Sequence, residues 1–343
     1  MDINLRQLSG RAGMRGAAGR VRARRLDEYH RRGGRTAEGL ASGFSLVEMM
    51  VVMAMLSVIV LGLYSVFNQT QRALISNNAQ VDVLENGRTT LDLVGREIEQ
   101  AVAWGRRESN VFLPHLWTRI DYRNPDNQRP YTQTLNDGTV RTNLLQECFF
   151  LSRSNNWWIG NGFFIATPTN GSYLGTNEVR QSGVGTLYHF VSPSSPPTIR
   201  LTPALLLGLT NAFQQGRTNA LQSFPVAEGI THFRLRPYDS WGRLMSNNVT
   251  RVLSNGFYLS HFNSNIVAQV DPDSGEDAIE YRWFFLSNSL PAYLELELGV
   301  VKPYVLQRMR SIPSPAAQRA YLTNQAGAVS LFHKMIPLRN AQP

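Results

Sequence analysis

GFSLVEMMVVMAMLSVIVLGLYSVF runs from Gly43 to Phe67. It is predominantly apolar and carries one charge, the carboxylate of Glu48, with no other until Arg72. As a helix from Phe44 to Phe67 it would span roughly 36 Å, enough to cross a hydrocarbon core of about 30 Å. A buried acid costs about 2.5–3.5 kcal/mol at the bilayer centre, less near an end, and such groups are usually paired and functional. The position of Glu48, in the first turns of the expected helix, therefore needs a reason.

Three simpler readings leave that position unexplained. A secretory signal peptide would have a shorter apolar run and a small-x-small site after it. A twin-arginine signal would follow Arg31-Arg32 with apolar residues, but Gly33-Gly34-Arg35 comes next. A plain anchor accounts for the length and not for the acid. If the chain is cut between Gly43 and Phe44, Glu48 becomes the fifth residue. The new amine on Phe44 can then neutralise a carboxylate on a neighbouring helix, and the helix dipole also favours an acid there.

Gly43-Phe44-Ser45-Leu46-Val47-Glu48 and the apolar run after it resemble the processing motif of type IV prepilins and pseudopilins. The resemblance implies cleavage after Gly43 by a prepilin peptidase, N-methylation of Phe44, and Glu48 guiding entry into a filament. It implies a pilin-like α+β fold, a long N-terminal helix packed against a C-terminal antiparallel β-sheet head. It makes residues 1–43 a cleaved cytoplasmic leader, 44–104 the long helix, membrane-embedded to about 67, and 105–343 a periplasmic head.

Charge agrees with that orientation. Residues 1–43 hold ten arginines and four acids, a net of +6, which keeps this side in the cytoplasm. The other 300 residues carry only +3, weak support for a nucleic-acid partner. The single cysteine, Cys148, excludes an intrachain disulfide.

No proline interrupts Phe44 to Leu113, so one helix is expected to about Ala103, roughly 90 Å. Val81, Leu84, Leu91, Val94, Ile98 and Val102 would form its buried stripe. Beyond Trp104 short strands are expected at 148–153, 157–167, 185–191, 231–239, 278–286 and 292–301. Tyr293-Leu294-Glu295-Leu296-Glu297-Leu298 alternates as a half-buried strand should. Residues 120–142 and 262–277 read as polar loops, 313–328 as holding a short helix, and 331–338 as a last strand. EGITHFRLRPYDSWGRL (Glu228–Leu244) with LPAYLELELGV (Leu290–Val300) resembles the paired strands of J-type minor pseudopilins of type II secretion and W-type minor pilins of type IV pili.

The six histidines show no His-Glu-x-x-His spacing, and neither a Gly-x-Ser-x-Gly elbow nor a phosphate loop occurs. No cofactor and no enzymatic activity are expected. Asp271, Asp273, Glu276 and Asp277 around Gly275 are the candidate calcium ligands, though the spacing is not that of an EF-hand. Trp157-Trp158 and Tyr281-Arg282-Trp283 could stack bases or serve the core. The expected partners are the peptidase, other minor and major pilins or pseudopilins, and the inner membrane. The alternatives are a pilus-tip adhesin or DNA-uptake pilin, and a membrane-anchored periplasmic enzyme.

Overall fold

The computed structural model describes residues 45–104, 112–120, 131–135, 138–168, 174–175, 177–195, 197–198, 200–252, 257–260, 263–270 and 280–339. The chain divides into two compact units, Met1–Tyr64 and Ser65–Pro343. In the first, the described residues are the opening of helix α1 (Leu46–Ile98). None of its apolar window is buried, and Leu46, Val58 and Leu63 are typical of its exposed side chains.

The second unit holds the rest of α1 and a large antiparallel sheet. Its strands are β1 (Leu116–Ile120), β2 (Tyr131–Thr134), β3 (Val140–Asn143), β4 (Gln146–Ser154), β5 (Trp157–Pro168), β6 (Leu174–Gly175) and β7 (Gly185–Pro193). Then come β8 (Ser223–Tyr238), β9 (Val249–Val252), β10 (Phe257–Ser260), β11 (Ile266–Val270), β12 (Tyr281–Phe285), β13 (Tyr293–Val301) and β14 (Val329–Pro337). Among the described residues the further helices are α2 (Asn177–Ser182), α3 (Pro203–Gly216), α4 (Pro303–Arg310) and α5 (Pro315–Thr323). The main sheet runs β14-β13-β8-β7-β5-β4-β1-β12-β11-β10-β9, with β6 beside β5. β2 and β3 form a separate hairpin.

The α+β class and the order, helix first and sheet after, are as expected. α1 stops at Ile98, short of Ala103. Its buried stripe is Val83, Gly87, Leu91, Val94 and Ile98, while Val81 and Leu84 lie exposed. Two glycines explain how the helix meets the sheet. A Cβ at Gly87 would run into the Phe332 ring, and one at Gly95 would lie 3.0 Å from Lys334 Nζ. Both absences let β14 approach the helix backbone. Lys334 pairs with Asp92 at 2.7 Å and Arg339 with Glu99 at 3.4 Å.

In β13, Leu294, Leu296 and Leu298 are buried as expected, in the core that also holds Val94 and Ile98, but Glu297 is buried too, so from Leu296 on the strand is covered on both faces and not half-buried. Across the strand pair, Leu298 sits opposite Phe332 and Leu294 opposite Ile336. Strand β8 is longer than the 231–239 segment expected. Its first half pairs with β7 and its second with β13. Past the fork, Leu145 takes the place of β7 through a parallel bridge to Phe233, and Phe233 N–H donates to Leu144 O at 2.7 Å.

A second core lies under α3. Thr202 caps that helix by accepting from Leu205 N–H, and Pro203 occupies its first turn. Leu206, Leu209 and Phe213 are buried at helical spacing. Phe213 touches the rings of Trp117, Phe149, Phe164 and Phe190. Gly162 leaves room for it, since a Cβ there would meet the Phe213 ring. α3 and α4 were not read from sequence, and the expected loops at 120–142 and 262–277 contain β2, β3 and β11. The short helix of 313–328 is α5.

Candidate functional site

The start of α1 explains how an acid is accommodated there. Ser45 precedes the first helical turn, and Glu48 stands three residues on. Glu48 N–H donates to Ser45 Oγ at 3.1 Å, and Ser45 N–H donates back to Glu48 Oε2 at 3.1 Å. Ser45 Oγ–H also donates to Glu48 Oε2 at 3.3 Å. This reciprocal pair is a capping box, which satisfies two N–H groups at a helix end. The Ser-x-x-Glu spacing was legible in the sequence, but the role of Ser45 was not recognised. Glu48 is thus held at the positive helix end by its own chain. Gly43 and Phe44 lie outside the described residues.

So do Asp271, Asp273, Glu276 and Asp277, the calcium candidates. A different group was missed. On the face of β8 and β13 away from α1, His232, Arg234 and Arg236 meet Glu295 and Glu297, and Glu280 joins them from the residue before β12. Glu297 pairs with Arg236, with Arg234 at 3.5 Å and with His232 at 3.1 Å. Arg234 also pairs with Glu280, and Tyr238 O–H donates to Glu295 at 2.8 Å. The alternation Glu295-Glu297 and Arg234-Arg236 marked one face of each strand. What the sequence lacked was the register that sets Glu297 opposite Arg234.

The protonation states follow from the contacts. Leu144 N–H donates to His232 Nδ1 at 3.1 Å, so that nitrogen carries a lone pair and the ring proton sits on Nε2, facing Glu297. Burial holds the imidazole below its ordinary range. Burial also pushes the Glu297 carboxyl up, but His232, Arg234 and Arg236 outweigh it and bring it down to about 2. Glu280 is raised, because its burial outweighs its arginine contacts.

Glu295, Glu297 and His333 come close enough together to ligate one ion. Arg236 already touches both carboxylates, with Nε 3.1 Å from Glu295 and the Nη2 group on Glu297. Its guanidinium supplies the positive charge a metal would bring, so the group is built as an ion-pair network.

The remaining candidates sit in the core or beside it. Cys148 is buried, and desolvation pushes its thiol up to about 12, which suppresses the thiolate. Trp158 and Trp283 are buried, while Trp157 is 40% exposed. His189 stacks on Phe163 at 4.6 Å between ring centroids. His115 is fully buried, and desolvation lowers both it and His189 to about 4.

Residues 40–64 match the family described as the prokaryotic N-terminal methylation motif. That stretch contains Gly43, Phe44, Ser45 and Glu48. The chain therefore carries the N-terminal signal of a type IV pilin-like precursor, the signal that prepilin peptidases process. Together with a helix long and apolar enough to cross a membrane, it indicates a membrane-anchored protein. No curated protein and no solved structure matches the chain.

Proposed function

We propose that the protein is a minor pilin or pseudopilin, a structural subunit of a type II secretion pseudopilus or type IV pilus. Prepilin peptidase cuts between Gly43 and Phe44, Phe44 is N-methylated, and the subunit enters the filament near its tip. The head, from about residue 105, then lies on the periplasmic side. The observation that carries this reading is the methylation motif joined to the opening of α1, whose apolar window is nowhere buried in the single chain. Such a surface needs lipid before assembly and other helices after it. The two segments that resemble J-type and W-type subunits give it support, because they lie side by side as β8 and β13.

The mechanism is association and not catalysis. In the precursor, Glu48 is engaged by Ser45. After cleavage the Phe44 amine lies next to Ser45 in sequence, and a neighbour's amine competes for the same carboxylate. Exchange of a cap for an ion pair between subunits keeps the acid satisfied throughout. No cofactor takes part.

The mature N-terminus tests the first step. Mass spectrometry of the native protein should find it beginning at Phe44 and one methyl group heavier. Glu48→Ala tests the second: cleavage should continue while incorporation into filaments falls sharply. Normal incorporation of Glu48→Ala, or a native chain starting elsewhere, would overturn the proposal.

A further inference from the structure

The covering of β13 stops short of the strand's start. From Leu296 to Val301 every residue is buried, but Glu295 is half-buried and Tyr293 is 37% exposed. Register sets Tyr293 between Tyr238 of β8 and Pro337 of β14, and Glu295 between Arg236 and Met335. These residues form two short rows on the face away from α1, and Met335 and Pro337 are exposed beside them.

The turn that follows β8 adds a third ring. Asp239 Oδ1 accepts from Trp241 N–H at 2.9 Å and from Arg243 N–H at 2.8 Å, and Arg243 Nε donates to Asp239 Oδ2 at 3.0 Å. Gly242, at φ +74, lets the chain close the turn. The Arg243 guanidinium lies 4.4 Å from the centre of the Trp241 ring, yet Trp241 is 72% exposed. The fold thus fixes a large ring in water, where core packing does not require it.

Charge on this corner is already matched. Arg236 pairs with Glu295 and Glu297, Arg243 pairs with Asp239, and Tyr238 O–H donates to Glu295. An ionic ligand would have to break those pairs. The layout also disfavours a protein surface. Protein interfaces put an apolar centre inside a polar rim. Here an ion-pair network adjoins the rings, and a protein laid over it would desolvate its charges. A sugar suits both parts. Its C–H faces stack on aromatic rings, and each hydroxyl can donate to a carboxylate and accept from a guanidinium.

We propose that this corner of the sheet binds a neutral polysaccharide chain. Tyr293 and Trp241 take the faces of sugar rings, while Glu295 and Arg236 hold hydroxyls. The site does not depend on filament assembly, because all its residues lie in the unit Ser65–Pro343.

The full chain, in micelles of a detergent without a sugar headgroup, can be titrated calorimetrically with hexasaccharides of glucose, of N-acetylglucosamine and of galacturonate. At least one of the two neutral chains should bind saturably, and the acidic chain at least about tenfold more weakly. Tyr293→Ala and Trp241→Ala should each weaken binding of the neutral chain by about tenfold, with thermal melts unchanged because both side chains are exposed. Tyr293→Phe should bind as the wild type does, since the ring and not the hydroxyl makes the stack. Trp157→Ala, at an exposed tryptophan outside the site, should have no effect. Saturable binding of neither neutral chain, equal affinity for the acidic one, or normal binding by both alanine variants would overturn the proposal.

Discussion

The two halves of α1 belong to one unbroken helix and meet opposite fates. From Leu46 to Tyr64 no apolar side chain is buried, and Ile59 is 59% exposed. From Val83 onward a stripe disappears into the core, and Ile98 is 1% exposed. Helix propensity does not separate them. The second half is amphipathic and has a sheet to cover it; the first is apolar all round, and none of its window is buried among the described residues. Hydrophobicity therefore marks which surface must be covered, while the fold decides what covers it.

Paired substitutions probe this difference, and the largest effect is expected at the buried end. Ile98→Ala should destabilise the head by about 4 kcal/mol in denaturant titration. Ile59→Ala should leave the same transition in place. Equal losses would mean that the head also covers the first half.

Acid should weaken the two regions unequally. His115 is held neutral in the fold, with a pKa of about 4 against an ordinary 6.5. The unfolded chain takes up a proton as pH falls through 6.5, and the folded chain does not until about 4. Stability is therefore lost progressively across that window, by about 3 kcal/mol for this group alone. His189 acts in the same direction. Glu297 adds a second loss as pH falls from 4.5 towards 2, where its carboxylate is finally protonated. Thermal melts across pH should show near-ultraviolet signals of the head shifting, while helical signal from Leu46–Tyr64 persists.

Glycine to alanine should change sign between the halves. At Gly62 an added Cβ meets nothing within 4 Å, so Gly62→Ala should gain helix stability by about 1 kcal/mol. At Gly87 the same methyl meets Phe332, and Gly87→Ala should cost about 2 kcal/mol. Helical circular dichroism and denaturant midpoints would separate the two. The smallest effect is expected at the surface. Lys334→Ala removes the pair with Asp92, which is 65% exposed, and should shift the denaturant midpoint least of these variants.

The same logic separates what was readable from what was not. Leu294, Leu296 and Leu298 were legible because period two in a strand maps directly to one face. Val81 and Leu84 were misplaced because several three- and four-residue spacings fit one helix. Only the approach of β14 to Gly87 and Gly95 selects among them. α3 was hidden because its evidence is partly elsewhere, in the aromatic side chains that enclose Phe213. At the helix start, Glu48 was singled out by its charge, but Ser45 passed as an ordinary polar residue.

Local chemistry, written in consecutive residues, was sufficient for the processing motif, the membrane-length apolar run and the helix-then-strand order. These depend on spacing along the chain, and spacing survives without a fold. The ion-pair network around Glu297, the stripe actually buried on α1, and the rows of Tyr293 and Glu295 across three strands were decided by tertiary structure. Each brings together residues tens to hundreds of positions apart, and strand register and close packing, which no local pattern specifies, determine which of them meet.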